Sequence, residues 1–265
     1  MKSLTQLKKQ IFEKIQKDKF LFEELVSRDF KDKYKRTILG MLWSVLYPIL
    51  NLAIISIVMT RFFAGDIPHY HIYLFCGTLI MSYYRESTIG GMNSLMANRG
   101  IITKINIPKY MFLLSKNVSS LINFFLTLMV FFLFCIIDKI TFGPHFIMLL
   151  FVILCLVIFN VGVGLILSAL FVFFRDVSYF YDVFLVLLNY LSAIFYKIDS
   201  FPVSLQRLFL CNPIYVFIHY FRVIVIDSNI PSFQYHLLCV FYALLSIGIG
   251  AWFYKKYNHQ FLYYM

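Results

Sequence analysis

RDFKDKYKRTILGMLWSVLYP, residues 28–48, decides how this chain is built. Arg28, Asp29, Lys31, Asp32, Lys33, Lys35 and Arg36 crowd seven charges into nine positions, and then charge stops. From Ile38 to Thr60 no residue is charged over 23 positions. About 20 apolar residues in a helix cross a ~30 Å hydrocarbon core, so 38–60 reads as a membrane span. A basic cluster directly before a span marks its cytoplasmic end.

The composition agrees. The chain is 61% hydrophobic and 14% charged over 265 residues, against about 25% charged in a soluble domain. The net charge of +11 sits beside the spans as a topology signal, so no nucleic-acid partner is expected. The five cysteines are scattered without a CxxC pair, so no metal site is expected. The run from Ile38 carries no cleavage-site pattern, and no cleaved leader is expected.

Five further spans follow: 70–96, 117–137, 146–174, 177–196 and 233–254. Pro48 should kink the first. Gly65 and Pro68 mark an outer turn after it. Gly164 and Ser168 in the fourth form a small-residue face, suited to packing within the chain or between subunits. Residues 97–116 carry Arg99, Lys104, Lys109 and Lys116 and no acid, which reads as a cytoplasmic loop. Ahead of the spans, Leu4, Leu7, Ile11, Ile15, Phe22 and Leu25 recur at helical spacing. Residues 1–36 therefore read as an amphipathic helix on the cytoplasmic leaflet, with 37–265 as the transmembrane domain.

The segment 197–232 decides the topology. Its apolar stretch, Leu208–Phe221, would rise only ~21 Å as a helix, and Asn212-Pro213 interrupts it. It reads as a re-entrant helical hairpin dipping in from outside. Six spans then leave both termini cytoplasmic. Of the 24 Lys and Arg, 11 lie in residues 1–36, four in 97–116, one at Arg175 and two at 255–256. Five, including Arg222, lie outside, and Arg85 lies within the membrane.

No catalytic constellation is present: no Walker A loop, HExxH, GxSxG or facing carboxylates. An enzyme is not expected, and any uphill transport must draw energy from another chain. Arg85 and Glu86 break an otherwise apolar helix beside Tyr83 and Tyr84. They read either as a local charge pair or as contacts to a polar substrate. Adjacent helical residues lie ~100° apart, so the four cannot share one stripe. Tyr84 and Arg85 are the two expected to face a path. Tyr190 and Tyr196 are further candidates for its lining.

Several motifs carry a resemblance. They are Arg28-Asp29, Tyr34-Lys35-Arg36, Leu39-Gly40, Leu42-Trp43 and Pro48 at the entry, then Asn98, Ile101-Ile102, Lys104 and Pro108. Phe174-Arg175-Asp176 and Asn212-Pro213 follow in order. Together they resemble the membrane subunit, or permease, of ABC-2 type exporters of lipid-linked polysaccharides: O-antigen, capsule and teichoic acid. Family members often end in a charged tail, whereas this chain ends YNHQFLYYM. The resemblance implies a homodimer in the cytoplasmic (inner) membrane with two copies of an ATP-binding cassette subunit, which hold ATP and Mg; this chain binds no cofactor. It implies coupling through Asn98, Arg99, Gly100, Ile102, Lys104 and Pro108, and a glycan conduit between protomers. It implies entry-motif and gate roles for Arg28, Asp29, Arg36, Gly40, Trp43, Pro48, Asn212 and Pro213. The alternatives are an ABC-2 exporter of small amphiphiles or drugs, whose path would be more uniformly apolar, and a membrane enzyme acting on lipid-linked sugars.

Overall fold

The computed structural model describes residues 19–33, 35, 37–63, 67–105, 107–199 and 201–264. Residues 1–18, Tyr34, Arg36 and Gly65 lie outside them, so most of the amphipathic stripe and one entry-motif cation carry no structural account. The described residues are helical and contain no strand. In chain order the helices are α1 (19–33), α2 (Trp43–Phe63), α3 (Tyr70–Ala97), α4 (Arg99–Ile102), α5 (Tyr110–Ile137), α6 (Met148–Phe173), α7 (Val177–Leu191), α8 (Val203–Phe209), α9 (Pro213–Val225), α10 (Phe233–Tyr257) and α11 (Phe261–Tyr264).

Four segments are long and apolar enough to cross a membrane: Gly40–Phe62, Tyr110–Ile137, Pro144–Phe173 and Phe233–Tyr257. The pair α8 and α9 adds a fifth if taken as one broken span; its halves meet at 101°. The bend is local chemistry. The Asn212 side chain accepts from the backbone N–H of Ile214 and Tyr215, and Pro213 opens α9 where its missing N–H costs nothing.

Three expected boundaries move. The first span does not begin as α-helix at Ile38. Gly40 sits at φ +52°, a left-handed conformation that glycine adopts without a Cβ clash. A 3-10 turn over Gly40–Leu42 then leads into α2 at Trp43. The third starts at Tyr110 rather than Asn117, because Lys116 pairs with Asp29 at 2.9 Å and no longer needs to leave the helix. The fifth stops at Leu191 rather than Tyr196, and the chain turns through Ala193 at φ +50°. Arg222 enforces that turn, as described below.

The core is α3, α5, α6 and α10. A Cβ on Gly162 would lie 2.4 Å from the backbone of Ser246 and Ile247, so α6 and α10 cross with backbones nearly in contact. Gly164 faces Gly91 of α3, and Ser168 shares a 2.7 Å hydrogen bond with the Tyr254 hydroxyl of α10. The small-residue face of α6 is therefore filled from within the protomer, not by another subunit. In contrast α2 packs mainly on α3 and α5 among the described residues, and Ile54, Ile57 and Phe62 along it are exposed. A second apolar cluster gathers Leu25 of α1, Ile102 of α4, Phe112 of α5, Val172 of α6, Tyr254 of α10 and Phe261 of α11. This brings α1 and α11 to one end of the bundle, hereafter the α1 end. The bent pair lies at the other, the hairpin end.

Candidate functional site

The site follows from α3, a long helix most of whose surface is enclosed. Along α3, before its last residue Ala97, the exposed residues are His71, Ser82 and Arg85, with Thr78, Glu86 and Ile89 half-buried beside them. At 100° per residue these fall on a single stripe of mostly polar side chains. Glu86 turns to α5, where Asn123 Nδ2 donates to its carboxylate at 2.7 Å. Thr88 turns to α7, accepting from the Tyr181 hydroxyl at 2.6 Å. Ser82 and Arg85 stand between, uncovered.

On the α5 side of this stripe lies a cleft of about 380 Å³ between α2, α3 and α5. Each helix sends polar groups into it at helical spacing: Ser44 and Asn51 from α2, Thr78 and Ser82 from α3, Ser120 and Thr127 from α5. Trp43, Tyr47, Tyr83 and Phe124 supply ring surface. The Lys33 ammonium closes its α1 end, 2.9 Å from Glu86. Hydroxyls, amides and rings in one cleft whose surface is otherwise mostly apolar suit a ligand with both polar groups and apolar faces. The polar ladder was readable in the sequence as 78/82/86 and 120/123/127, spaced by three or four, but each residue was masked by apolar neighbours.

The six conduit candidates therefore separate. Tyr83 and Glu86 line the cleft, and Arg85 lies on the open stripe. Glu86 pairs with Lys33, not with Arg85, so the local charge pair is not formed. Tyr84 is 4% exposed and stacks on Phe159 of α6, 5.9 Å between centroids. One residue along a helix turns the side chain by 100°, enough to carry Tyr84 into the core while Arg85 stays outside. Tyr190 and Tyr196 lie at the hairpin end, where the Tyr196 hydroxyl donates to the Tyr190 carbonyl at 2.9 Å.

At the α1 end the entry motif and the coupling segment are one polar knot. Asp29, 6% exposed, accepts from Ser115 and Lys116 of α5, each at 2.9 Å, and from Arg28. Arg28 reaches on to the Asn98 side-chain oxygen at 2.8 Å. Asn98 also holds the end of α3 by donating to the Ser94 carbonyl at 2.8 Å. Asn98 and Ile102 turn inward, while Arg99, Gly100 and Lys104 are exposed and a Cβ on Gly100 would meet nothing within 4 Å. Pro108 is half-buried, and Lys109 after it donates to the Asn258 carbonyl beside the C-terminal tail. Burial lowers the Lys109 pKa from its ordinary value. Gly40 and Trp43 prepare α2, with Pro48 in its second turn lining the cleft.

Arg222, counted above among the external charges, is buried at 6% exposure. Its guanidinium donates to the carbonyls of Ala193, Ile194 and Tyr73 at 2.8–3.3 Å and lies 3.4 Å from the Tyr73 ring centroid. Carbonyl oxygens in place of a carboxylate satisfy its donors and cap the chain where α7 stops. A charge census misses this because the acceptors are backbone atoms far away in sequence.

This arrangement is that of a multi-pass helical membrane protein. Residues 21–226 match the ABC-2 type transporter family, and the chain belongs to that family. Membership makes it a transport subunit and implies an ATP-binding cassette partner. More particularly, the chain is similar to the O-antigen export system permease protein RfbA of Klebsiella pneumoniae. The two are 26% identical over 246 residues, 91% of this chain and 95% of that one. It is 24% identical over 218 residues to the O-antigen export system permease protein RfbA of Myxococcus xanthus, covering 80% and 82%.

Proposed function

We propose that this chain is the permease of an exporter that carries a lipid-linked surface polysaccharide across the cytoplasmic membrane, driven by ATP and Mg on two separate cassette subunits. The observation that carries this reading is Arg85. It lies about 15 residues into α3, ~22 Å along the axis, and is exposed in the single chain. A guanidinium at that depth does not face lipid; it faces water or another protein surface. A second copy of the chain closing over α2, α3 and α7 satisfies it and encloses the stripe as a polar conduit. The names of the relatives support a glycan as the cargo, as do the hydroxyls, amides and rings of the cleft.

In this reading α3 and α7 also cross the membrane, giving six spans with both termini cytoplasmic. The α8–α9 pair is a re-entrant hairpin on the outer side. Arg85 meets the pyrophosphate of the lipid carrier, since its fork matches phosphate oxygens. Arg99, Gly100 and Lys104 form the outward face that docks on the cassette subunit, with Asn98 and Ile102 anchoring it.

The test places a cysteine at Ser82 in a variant lacking the native cysteines, in cells that display the glycan. A thiol reagent that is charged and water-borne is expected to block surface glycan at Ser82→Cys and to leave Leu133→Cys, on the exposed face of α5, unaffected. Full glycan display with Ser82→Cys quantitatively modified overturns the conduit.

A further inference from the structure

A second pocket, of about 270 Å³, opens at the hairpin end between the start of α3, the 193–199 linker, α8, α9 and the start of α10. It shares no lining residue with the cleft. Arg222 and Tyr73 form part of its wall, already locked to each other and to the linker carbonyls. Three rings line it in sequence: Tyr215 stacks on His219, 5.7 Å apart at 25°, and His219 meets Tyr235 at 4.6 Å. Two exposed carboxylates, Asp199 and Asp227, stand at its mouth with Lys197 and Gln206. Partial burial raises the Asp227 pKa, Lys197 opposes that rise and Asp199 adds to it, so the three groups feel one another.

The chemistry narrows the ligand. Two carboxylates at the mouth disfavour an anion. A hydrocarbon chain is disfavoured by a lining in which six charged or polar side chains and three tyrosines stand beside six aliphatic ones. Among the described residues no group of three or more His, Cys, Asp or Glu could hold a metal ion. What remains is a ligand with many hydroxyl donors and a flat C–H face. Carboxylates accept strongly from hydroxyls, and aromatic rings pack against the C–H face. We propose that this pocket is an exit-side saccharide site that takes one neutral sugar unit behind the α8–α9 hairpin. The inference rests on the glycan-export reading and adds to it a contact distinct from the conduit stripe.

The experiment uses the permease with its cassette subunit in lipid nanodiscs. Glucose, galactose, N-acetylglucosamine and rhamnose serve as probes in saturation-transfer NMR. Transfer to at least one probe is expected, with binding weakened about tenfold in Asp199→Asn/Asp227→Asn and in Tyr235→Leu, and unchanged in Leu133→Ala. The two carboxylates are exposed, so their amide variants should fold as the parent does. Absence of transfer to every probe overturns the proposal, as does transfer that the pocket variants leave unchanged. A calcium-dependent thermal shift abolished by Asp199→Asn, without sugar transfer, would make this a cation site and overturn it too. Any of these results, beside a Ser82→Cys block of export, leaves the exporter reading standing. Free glycan display by modified Ser82→Cys, with transfer as expected, removes the conduit and keeps the pocket.

Discussion

Arg28 and Asn98, 70 residues apart, share a 2.8 Å hydrogen bond that ties the entry motif to the segment after α3. Through Asp29 the same knot reaches Ser115 and Lys116, so α1, α4 and α5 are held by one buried carboxylate. Asp29→Asn removes the charge that both cations address. We expect a loss of about 2–3 kcal/mol, read as a lower thermal midpoint of the purified permease. Asn98→Leu should keep the fold and lower export per ATP hydrolysed. Equal midpoints for Asp29→Asn and the parent would reject the knot as a structural element.

The Arg222 clamp makes a sharper prediction. Arg222→Met leaves the carbonyls of Ala193 and Ile194 without their donor in a buried place, costing about 3 kcal/mol. Arg222→Lys keeps charge but loses the planar fork, so it should recover only part of that. Limited proteolysis in the 192–212 region reports both, with cleavage rates ordered Met, then Lys, then parent.

Two glycine substitutions, one at a buried crossing of α6 and one on the exposed side of α10, should separate cleanly. Gly162→Ala drives a methyl into the backbone of Ser246 and Ile247 and should cost at least 1–3 kcal/mol or block assembly of α6 with α10. Around Gly248 nothing lies within 4 Å, so Gly248→Ala should be neutral or stabilise by up to about 1 kcal/mol. Detergent-solubilised yield and thermal midpoint measure both.

The aromatic C-terminal tail is part of the core at the α1 end. Phe261 is fully buried, packs on Phe173 and Tyr254 and lies under the Lys109 ammonium at 5.5 Å. Phe261→Ala should cost about 3 kcal/mol. Tyr263, 86% exposed, should tolerate alanine within about 0.5 kcal/mol. A matching loss at both positions would contradict the burial seen here.

Arg85 separates recognition from packing. Arg85→Lys retains charge without the fork, and export of a phosphate-bearing lipid carrier should fall about tenfold at unchanged protein abundance. Normal surface glycan in that strain would remove the phosphate contact from the mechanism.

Much of the architecture was legible in the residues before any folding. A run of 20 uncharged residues is a local, additive property, so the long apolar segments that begin near Ile38, Phe146 and Phe233 emerge directly from the sequence. Asn212-Pro213 is equally local, since the cap and the ring act within one turn.

What tertiary structure alone decided was direction and partnership. Nothing in YYRE says that Tyr84 turns to Phe159 while Arg85 stays open, because that depends on where α6 and α7 pack around α3. Nothing near Arg222 announces a buried charge, because its acceptors are carbonyls brought from 28, 29 and 149 residues away. Lys116 could lengthen α5 only once Asp29 arrived from 87 residues earlier. Hydrophobicity sums along a chain and can be read from it; the satisfaction of a single buried polar group depends on one other group's position in space, and only the folded packing supplies that.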